Sequence, residues 1–199
     1  MYHYAENNPV KYTDPDGREL YIEGSDEYKN QVLKDIQKFA PNAKWKNDKK
    51  SEVIIEGKTK GYKEGNELIR KIVDSDKKVI IKTGDKNGCV PQVKNPITGA
   101  LLSEAQLSYY MNGTGNKASA NVTYNFNLPE TITREDGTKW NRPSYLGLAH
   151  ELIHSEHSVY GNVAASFALE EKSTVDETDI IIAGLIKNGV KGIAMRGSY

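Results

Sequence analysis

The segment from Tyr145 to His154, with the sequence Tyr-Leu-Gly-Leu-Ala-His-Glu-Leu-Ile-His, restricts the fold more than any other part of the chain. Residues four apart on an α-helix share one face, because about 3.6 residues complete a turn. His150 and His154 are therefore expected to point the same way and to bind one zinc ion from one side. The neighbouring apolar residues predict a buried opposite flank that would hold both imidazoles in place: Tyr145, Leu148, Ala149, Leu152 and Ile153.

The residues around this pair predict the rest of a catalytic zinc site. Glu151 directly follows the first histidine, so its carboxylate can reach the open coordination position and take a proton from water. A catalytic zinc has three protein ligands, but His157 lies about 60° off the ligand face and a turn farther along the helix. The following helix offers Glu170 and Glu171, and the residues alone do not decide between them. Less favoured donors on the same helix are Asp176, Glu177 and Asp179.

Hydrophobic periodicity predicts an α+β domain with a small sheet and helices. Strands are expected at residues 20–23, 53–56, 78–83 and 120–128, and helices at residues 26–39 and 64–74. Residues 84–99 are expected to form a loop, residues 101–111 fit a helix or a strand, and Asp136-Gly137 predicts a hairpin turn. After Pro143 the pattern is helical almost to the end of the chain, and Trp140 and Tyr160 are candidates for lining a cleft beside the histidines.

Composition excludes several classes of protein. The 199 residues include 27 Lys and Arg and 27 Asp and Glu, a formal charge of zero, whereas nucleic-acid binders carry a basic excess. Cys89 is the single cysteine, so an internal disulfide framework or a cysteine-rich zinc site is excluded. No apolar stretch approaches the roughly 20 residues that span a bilayer, and no signal peptide opens the chain. We therefore expect neither a nucleic-acid nor a membrane partner.

The first 19 residues differ in character from the rest and are predicted to lie outside the catalytic domain, 20–199. They contain Asn8-Pro9-Val-Lys-Tyr12-Thr-Asp14-Pro-Asp-Gly17, a turn-rich run with no helical period. This run resembles the end of an RHS (YD-repeat) shell, which precedes a variable C-terminal toxin. The resemblance implies a cargo domain that a larger secreted carrier delivers to a target cell, with a cognate immunity protein as a possible partner.

A second resemblance covers the C-terminal third of the chain. Arg142-Pro-Ser-Tyr-Leu-Gly-Leu-Ala-His-Glu-Leu-Ile-His154, then Glu170-Glu171-Lys-Ser-Thr174, then Arg196-Gly-Ser-Tyr199 resemble the type III-secreted effector metalloproteases that cleave host MAP kinases. Clostridial neurotoxin light chains share the order of these motifs. The resemblance implies a zincin-like fold in which His150, His154 and Glu171 bind zinc and Glu151 is the base. It also implies that Glu170 supports a ligand and that Arg196 and Tyr199 stabilise the transition state.

The sequence thus predicts a zinc endopeptidase toxin that hydrolyses a protein of the target cell. Two other functions stay open at this point. Zinc could serve the hydrolysis of a bond other than a peptide bond, as other RHS cargo domains include nucleases. Alternatively, zinc could stabilise a non-enzymatic interaction module, although a closed structural site needs a fourth protein ligand that the sequence does not obviously supply.

Overall fold

The structure of the protein, a computed structural model, describes residues 19–47, 50–57, 61–128, 130–133 and 137–195. These residues form strands β1 Glu19–Ile22, β2 Ala43–Trp45, β3 Glu52–Ile55, β4 Lys78–Lys82, β5 Gly88–Gln92, β6 Ser119–Thr123, β7 Glu130–Thr133 and β8 Lys139–Arg142. They form helices α1 Asp26–Phe39, α2 Lys63–Asp74, α3 Glu104–Met111, α4 Ser144–Tyr160 and α5 Phe167–Lys187. The predicted α+β class is confirmed. Of the predicted leader 1–19, residues 1–18 lie outside the described residues and Glu19 begins β1.

Six strands form one mixed sheet in the order β2-β3-β1-β4-β6-β5. The three central strands β1, β4 and β6 run parallel, with Leu20 opposite Val79 and Val79 opposite Ala120. The outer strands β3 and β5 pair antiparallel with β1 and β6, and β7 and β8 form a separate hairpin. Buried residues alternate with more exposed ones along each of these strands, so one face of the sheet packs on the core. The strand predicted over residues 120–128 ends earlier than expected, at Thr123.

Two strands were not expected from the sequence. Residues 84–99, predicted as a loop, contain β5, and the short β2 follows α1. The sequence of β5 is Gly-Cys-Val-Pro-Gln, and proline in a strand has no N–H for the sheet. A proline is tolerated here because β5 is the last strand of the sheet, where one side of its backbone has no neighbouring strand.

The core lies between the sheet and the helices, and α4 runs through it. Helix α4 contacts α1, α2, α5, β5 and β6, so it has neighbours on nearly all sides. The side chains that fill this core are fully buried, among them Ile22, Ile36, Phe39, Ile69, Ile81, Leu148 and Leu152. None of the helices in the described ranges is both long and apolar enough to cross a bilayer.

Local signals fix the two ends of α4 and the start of α5. Pro143 directly precedes α4, where its missing N–H costs no helical hydrogen bond. Gly161 ends α4 with φ of 76°, and an added Cβ there would lie 2.3 Å from the carbonyl oxygen of Gly115. Only glycine fits both conditions. The Ser166 hydroxyl then accepts a hydrogen bond from the Leu169 N–H and caps α5, so that α5 folds back along α4.

Candidate metal centre

Helix α4 holds the two predicted histidines on the side that faces α5. Its opposite flank packs in the core, with Leu148, Ala149 and Leu152 fully buried, as the sequence predicted. The rings of His150 and His154 are 4.9 Å apart between centroids and nearly perpendicular, at 88°. Because the helix is fixed by its buried flank, the imidazoles have a defined position before any ligand binds.

Helix α5 brings a carboxylate to this pair. Glu171 Oε1 lies 3.0 Å from His154 Nε2, and Glu171 Oε2 lies 3.6 Å from His150 Nε2. The ligand atoms of these three residues lie within 4.8 Å of one another, an arrangement compatible with a bound metal ion. We call His150, His154 and Glu171 the His150 cluster. It contains the three residues that the sequence and the resemblance together predicted as metal ligands.

The second nitrogen of each histidine faces an oxygen acceptor on α5. His154 Nδ1 lies 3.0 Å from Glu170 Oε1 and 3.2 Å from Thr174 Oγ1. His150 Nδ1 lies 3.4 Å from the Thr178 hydroxyl, whose own hydrogen is donated to the Thr174 carbonyl. A histidine that donates its Nδ1 hydrogen presents the lone pair of Nε2, and metal ligands are commonly held in this way. Both Nε2 atoms therefore point toward the carboxylate of Glu171.

The geometry of the cluster shifts the pKa values of its three side chains. Burial lowers the pKa of His150 below its ordinary value, which favours the neutral form that binds a metal. Burial also opposes the charge of His154, but the hydrogen bonds that it donates to Glu170 and Glu171 outweigh this effect and raise its pKa to about 9. Hydrogen bonds from the same two histidines lower the pKa of Glu171. A metal ion would take the place of a proton on His154 Nε2.

Glu170 lies one layer behind the cluster and is fixed from three directions. Its Oε1 accepts from His154 Nδ1 and, at 2.7 Å, from His157 Nδ1, while its Oε2 accepts from the Ala164 N–H at 2.8 Å. Burial would raise the pKa of Glu170, but these hydrogen bonds outweigh it and lower the pKa to about 2. Glu170 thus contacts Nδ1 of His154, whereas Glu171 contacts the Nε2 atoms of both histidines.

A second group of ligand-type side chains lies one turn farther along α4. Glu156, His157 and Glu177 also have ligand atoms within 4.8 Å of one another, and we call them the His157 cluster. His157 Nε2 lies 2.8 Å from Glu177 Oε1 and 3.9 Å from Glu156 Oε2. Lys71 forms an ion pair with Glu156 at 3.0 Å. Lys71, although not a member of the His157 cluster, thus places a positive charge beside it.

The other predicted donors of α5 are not members of the His150 cluster. Asp176 pairs with Lys172 at 2.9 Å, and Glu177 contacts His157. Asp179 lines a small pocket next to His150. The same pocket is lined by Trp140, which agrees with its predicted place near the histidines, whereas the Tyr160 hydroxyl donates to the Lys71 carbonyl at 3.0 Å.

The predicted base, Glu151, is a partly buried residue of α4. Burial, and then the carboxylates of Glu151 and Glu170, raise the pKa of the Cys89 thiol on β5. The charge of Glu151 also raises the pKa of His154. Glu151 is therefore near both the His150 cluster and the last strand of the sheet. Arg196 and Tyr199, the predicted transition-state residues, lie outside the described residues.

Three contributors to the site were not predicted from the sequence. Thr174 was noted only as part of a motif, and Thr178 and Arg142 were given no role. The two threonines follow Glu170 at intervals of four residues, so helical spacing alone puts them on the same face of α5. Arg142 lines the pocket beside His150, and its charge helps to lower the pKa of that histidine. Its position directly before Pro143 and α4 is the only sequence signal for it.

Comparisons with known proteins add no family to this description. No protein-family model matches the chain, and no curated protein sequence matches it significantly.

Proposed function

We propose that the protein is a zinc-dependent endopeptidase with a zincin-like active site. The observation that carries the proposal is the approach of the two Nε2 atoms of His150 and His154 to the Glu171 carboxylate, at 3.6 and 3.0 Å. Ligand atoms of a tetrahedral zinc site, each about 2.0–2.1 Å from the metal, are about 3.3 Å apart. Two imidazoles and one carboxylate are also a donor set that zinc takes in hydrolases.

The number of donors supports a catalytic site over a structural one. A structural zinc is enclosed by four protein ligands, whereas a catalytic zinc keeps a position for water. Within the described ranges the His150 cluster has three ligand residues, and the Glu171 side chain is 31% exposed. A cluster with three donors and an exposed side is suited to binding a substrate.

The proposed mechanism assigns one task to each side chain. When bound, zinc would supply Lewis-acid activation of water and of the carbonyl group under attack. Glu151, next to the first ligand, would accept the proton of the attacking water and pass it to the leaving amine. Glu170 would keep His154 oriented. The proposed role of Arg196 and Tyr199 is to donate hydrogen bonds to the carbonyl oxygen as its negative charge develops.

The position of β5 supports a peptide as the substrate. β5 is the last strand of the six-stranded sheet and contacts α4, and Glu151 lies near Cys89 on this strand. The outer side of a last strand offers backbone N–H and C=O groups that an extended peptide can pair with. A peptide held there would run past the predicted base, which favours peptide hydrolysis over the hydrolysis of a phosphoester.

The biological setting is proposed from resemblance alone. The likeness of residues 1–19 to an RHS shell terminus suggests delivery to a target cell as the cargo of a larger carrier. The substrate would then be a protein of that cell, and an immunity protein would protect the producer. These proposals add a context to the chemistry and are not needed for it.

The test of the proposed function is the appearance of new protein N-termini in cell lysates. Zinc-loaded protein is incubated with bacterial and with eukaryotic lysate beside two variants, Glu151→Gln and the matched control Glu27→Gln, an exposed residue in the first turn of α1. We expect defined cleavages with wild type and Glu27→Gln and almost none with Glu151→Gln, which keeps its zinc. Equal cleavage by Glu151→Gln, or no cleavage by zinc-loaded wild type in either lysate, would contradict the proposal.

A further inference from the structure

The proposed ligands are supported by a chain of charged side chains that extends across the interface of α4 and α5. It runs from Glu177 through His157 and Glu170 to His154, with contacts of 2.8, 2.7 and 3.0 Å. His157 and Glu170 are buried, whereas the Glu177 side chain is 40% exposed. The chain therefore connects the surface of α5 to a residue of the His150 cluster.

His157 is the central member of this chain. Both of its ring nitrogens lie within hydrogen-bond distance of a carboxylate oxygen, Nδ1 of Glu170 and Nε2 of Glu177. A neutral imidazole has one N–H, and only the imidazolium can donate to both partners. Such charge-assisted hydrogen bonds are the stronger kind and hold their partners in a narrow range of positions.

We infer that His157 is a positioning residue of the metal centre, which fixes the Glu170 carboxylate and thereby the orientation of His154. This inference rests on the proposed function, because it concerns the residues that would hold the zinc. Glu170 Oε1 is shared by His154 and His157, so a shift of this oxygen moves the acceptor of His154 Nδ1. The Nε2 atom on the other side of the ring would then turn away from Glu171.

The surroundings of His157 favour this role over that of a ligand in a second metal site. Its Nε2 already has Glu177 as a partner, and Glu156 is neutralised by Lys71 at 3.0 Å. A metal ion there would lie near the Lys71 ammonium group, which already pairs with Glu156. The His157 cluster is thus balanced by protein cations, while the His150 cluster has a carboxylate facing two Nε2 atoms.

The test compares zinc affinity in a double-mutant cycle of His157→Phe and Glu170→Gln. Zinc is titrated against a chelating dye, and each metal-free variant is also melted thermally to check folding. Loss of partners behind a metal ligand weakens metal binding by about 10- to 100-fold. We expect a loss of this size for His157→Phe, and little further loss when the change is made in Glu170→Gln, because His157 would act through Glu170.

Two further proteins make the result specific. Ser158→Ala removes a buried hydrogen bond to the Ala118 carbonyl from the adjacent residue of α4, and we expect it to keep wild-type zinc affinity. His157→Gln retains one donor and is measured beside His157→Phe, so that the test stands even if His157→Phe fails to fold. The visible spectrum of bound cobalt is recorded for each, since a reoriented His154 changes the spectrum and a loss of stability alone does not.

The outcomes separate this inference from the proposed function. Unchanged zinc affinity and cobalt spectrum in both His157 variants would overturn the role of His157 alone. The inference would also be overturned if the loss of zinc-binding free energy in the double variant equalled the sum of the two single losses. Two zinc ions per chain, one of them lost with His157, would assign His157 to a metal site instead. Absence of zinc from the wild-type protein would overturn both proposals.

Discussion

The His150 cluster and the His157 cluster lie on the same two helices, one turn apart, yet they balance their charges differently. In the His150 cluster, one carboxylate faces the Nε2 atoms of two histidines. Burial disfavours charge on His150, whereas carboxylate contacts raise the pKa of His154 to about 9. In the His157 cluster, Lys71 forms an ion pair with Glu156. Burial would lower the pKa of His157, but carboxylate contacts outweigh it and raise the pKa to about 10. The first arrangement suits a metal cation, and the second is satisfied by a proton and a lysine.

This difference shows that the presence of ligand-type side chains does not identify a metal site. In both clusters the ligand atoms lie within 4.8 Å of one another. They differ in that one carboxylate faces two histidines in the His150 cluster, whereas a carboxylate of the His157 cluster forms an ion pair with Lys71. The predictions below test this distinction, beginning with the largest expected effect.

The largest effect is expected on metal content. His150→Ala and Glu171→Ala should lose zinc, because each removes one of only three proposed donors. The matching change in the other cluster, Glu177→Ala, should retain about one zinc per chain, and Glu170→Ala should retain most of it. The number of zinc ions per chain is measured for each variant after dialysis. If Glu177→Ala lost its zinc and Glu171→Ala retained it, the zinc would be bound by the His157 cluster and not by the His150 cluster.

The second-largest effect is expected on kcat, from residues that belong to neither cluster. Arg196→Ala and Tyr199→Phe should keep full zinc content, while kcat falls by about 10²- to 10³-fold, the usual loss for one donor to a developing oxyanion. Zinc content and the rate of cleavage of an identified substrate are measured on the same samples. A protein truncated after Ala194 that cleaves as fast as the full chain would exclude both residues from catalysis.

A smaller effect is expected on the pH dependence of folding. The pKa of His157 is raised from 6.5 to about 10, so its contribution to stability is complete below pH 6.5 and is lost as pH rises through about 10. The pKa of Glu170 is lowered from 4.5 to about 2, so its contribution is lost as pH falls through that range. Both contributions are thus complete at mildly acid pH.

Urea unfolding of the metal-free protein checks this expectation. The difference in unfolding free energy between wild type and His157→Gln should be larger at pH 6 than at pH 9. The Ser158→Ala variant, which changes no titratable group, should show the same deficit at both values. A His157→Gln deficit that grows with pH would mean that His157 is neutral in the folded protein.

The smallest effect is expected from removal of residues 1–18. These residues precede β1 and resemble part of a carrier shell, so the truncated protein should keep its zinc, and its Tm should change little. The deletion stops before Glu19 because this residue pairs with Lys78 at 3.0 Å and belongs to β1. A large loss of stability would show that the segment is part of the catalytic domain.

The sequence predicted best those features that depend on local spacing. The histidine pair, the buried flank of α4 and the bounds of α1 follow from helical periodicity and a serine cap. The choice between Glu170 and Glu171 did not follow from spacing, because adjacent residues on a helix differ by about 100° and both can approach α4. Only the packing of α5 against α4 directs Glu170 behind His154 and Glu171 in front of it.

The sequence predicted poorly those features that depend on distant parts of the chain. β5 has glycine and proline in its sequence and is a strand because β6 pairs with it. His157 was excluded as a ligand from its angle on the helix, but its contacts with Glu170 and Glu177 depend on α5. The pairing of Lys71 with Glu156, which distinguishes the two clusters, joins residues of α2 and α4 that are far apart in sequence.

The most direct test of the central claim is an anomalous difference map from crystals of the zinc-loaded protein, recorded above and below the zinc absorption edge. The account predicts one strong peak, bonded to Nε2 of His150, Nε2 of His154 and the carboxylate of Glu171, with Glu170 hydrogen-bonded to His154 behind it. A peak among Glu156, His157 and Glu177, or no peak at the His150 cluster, would contradict it.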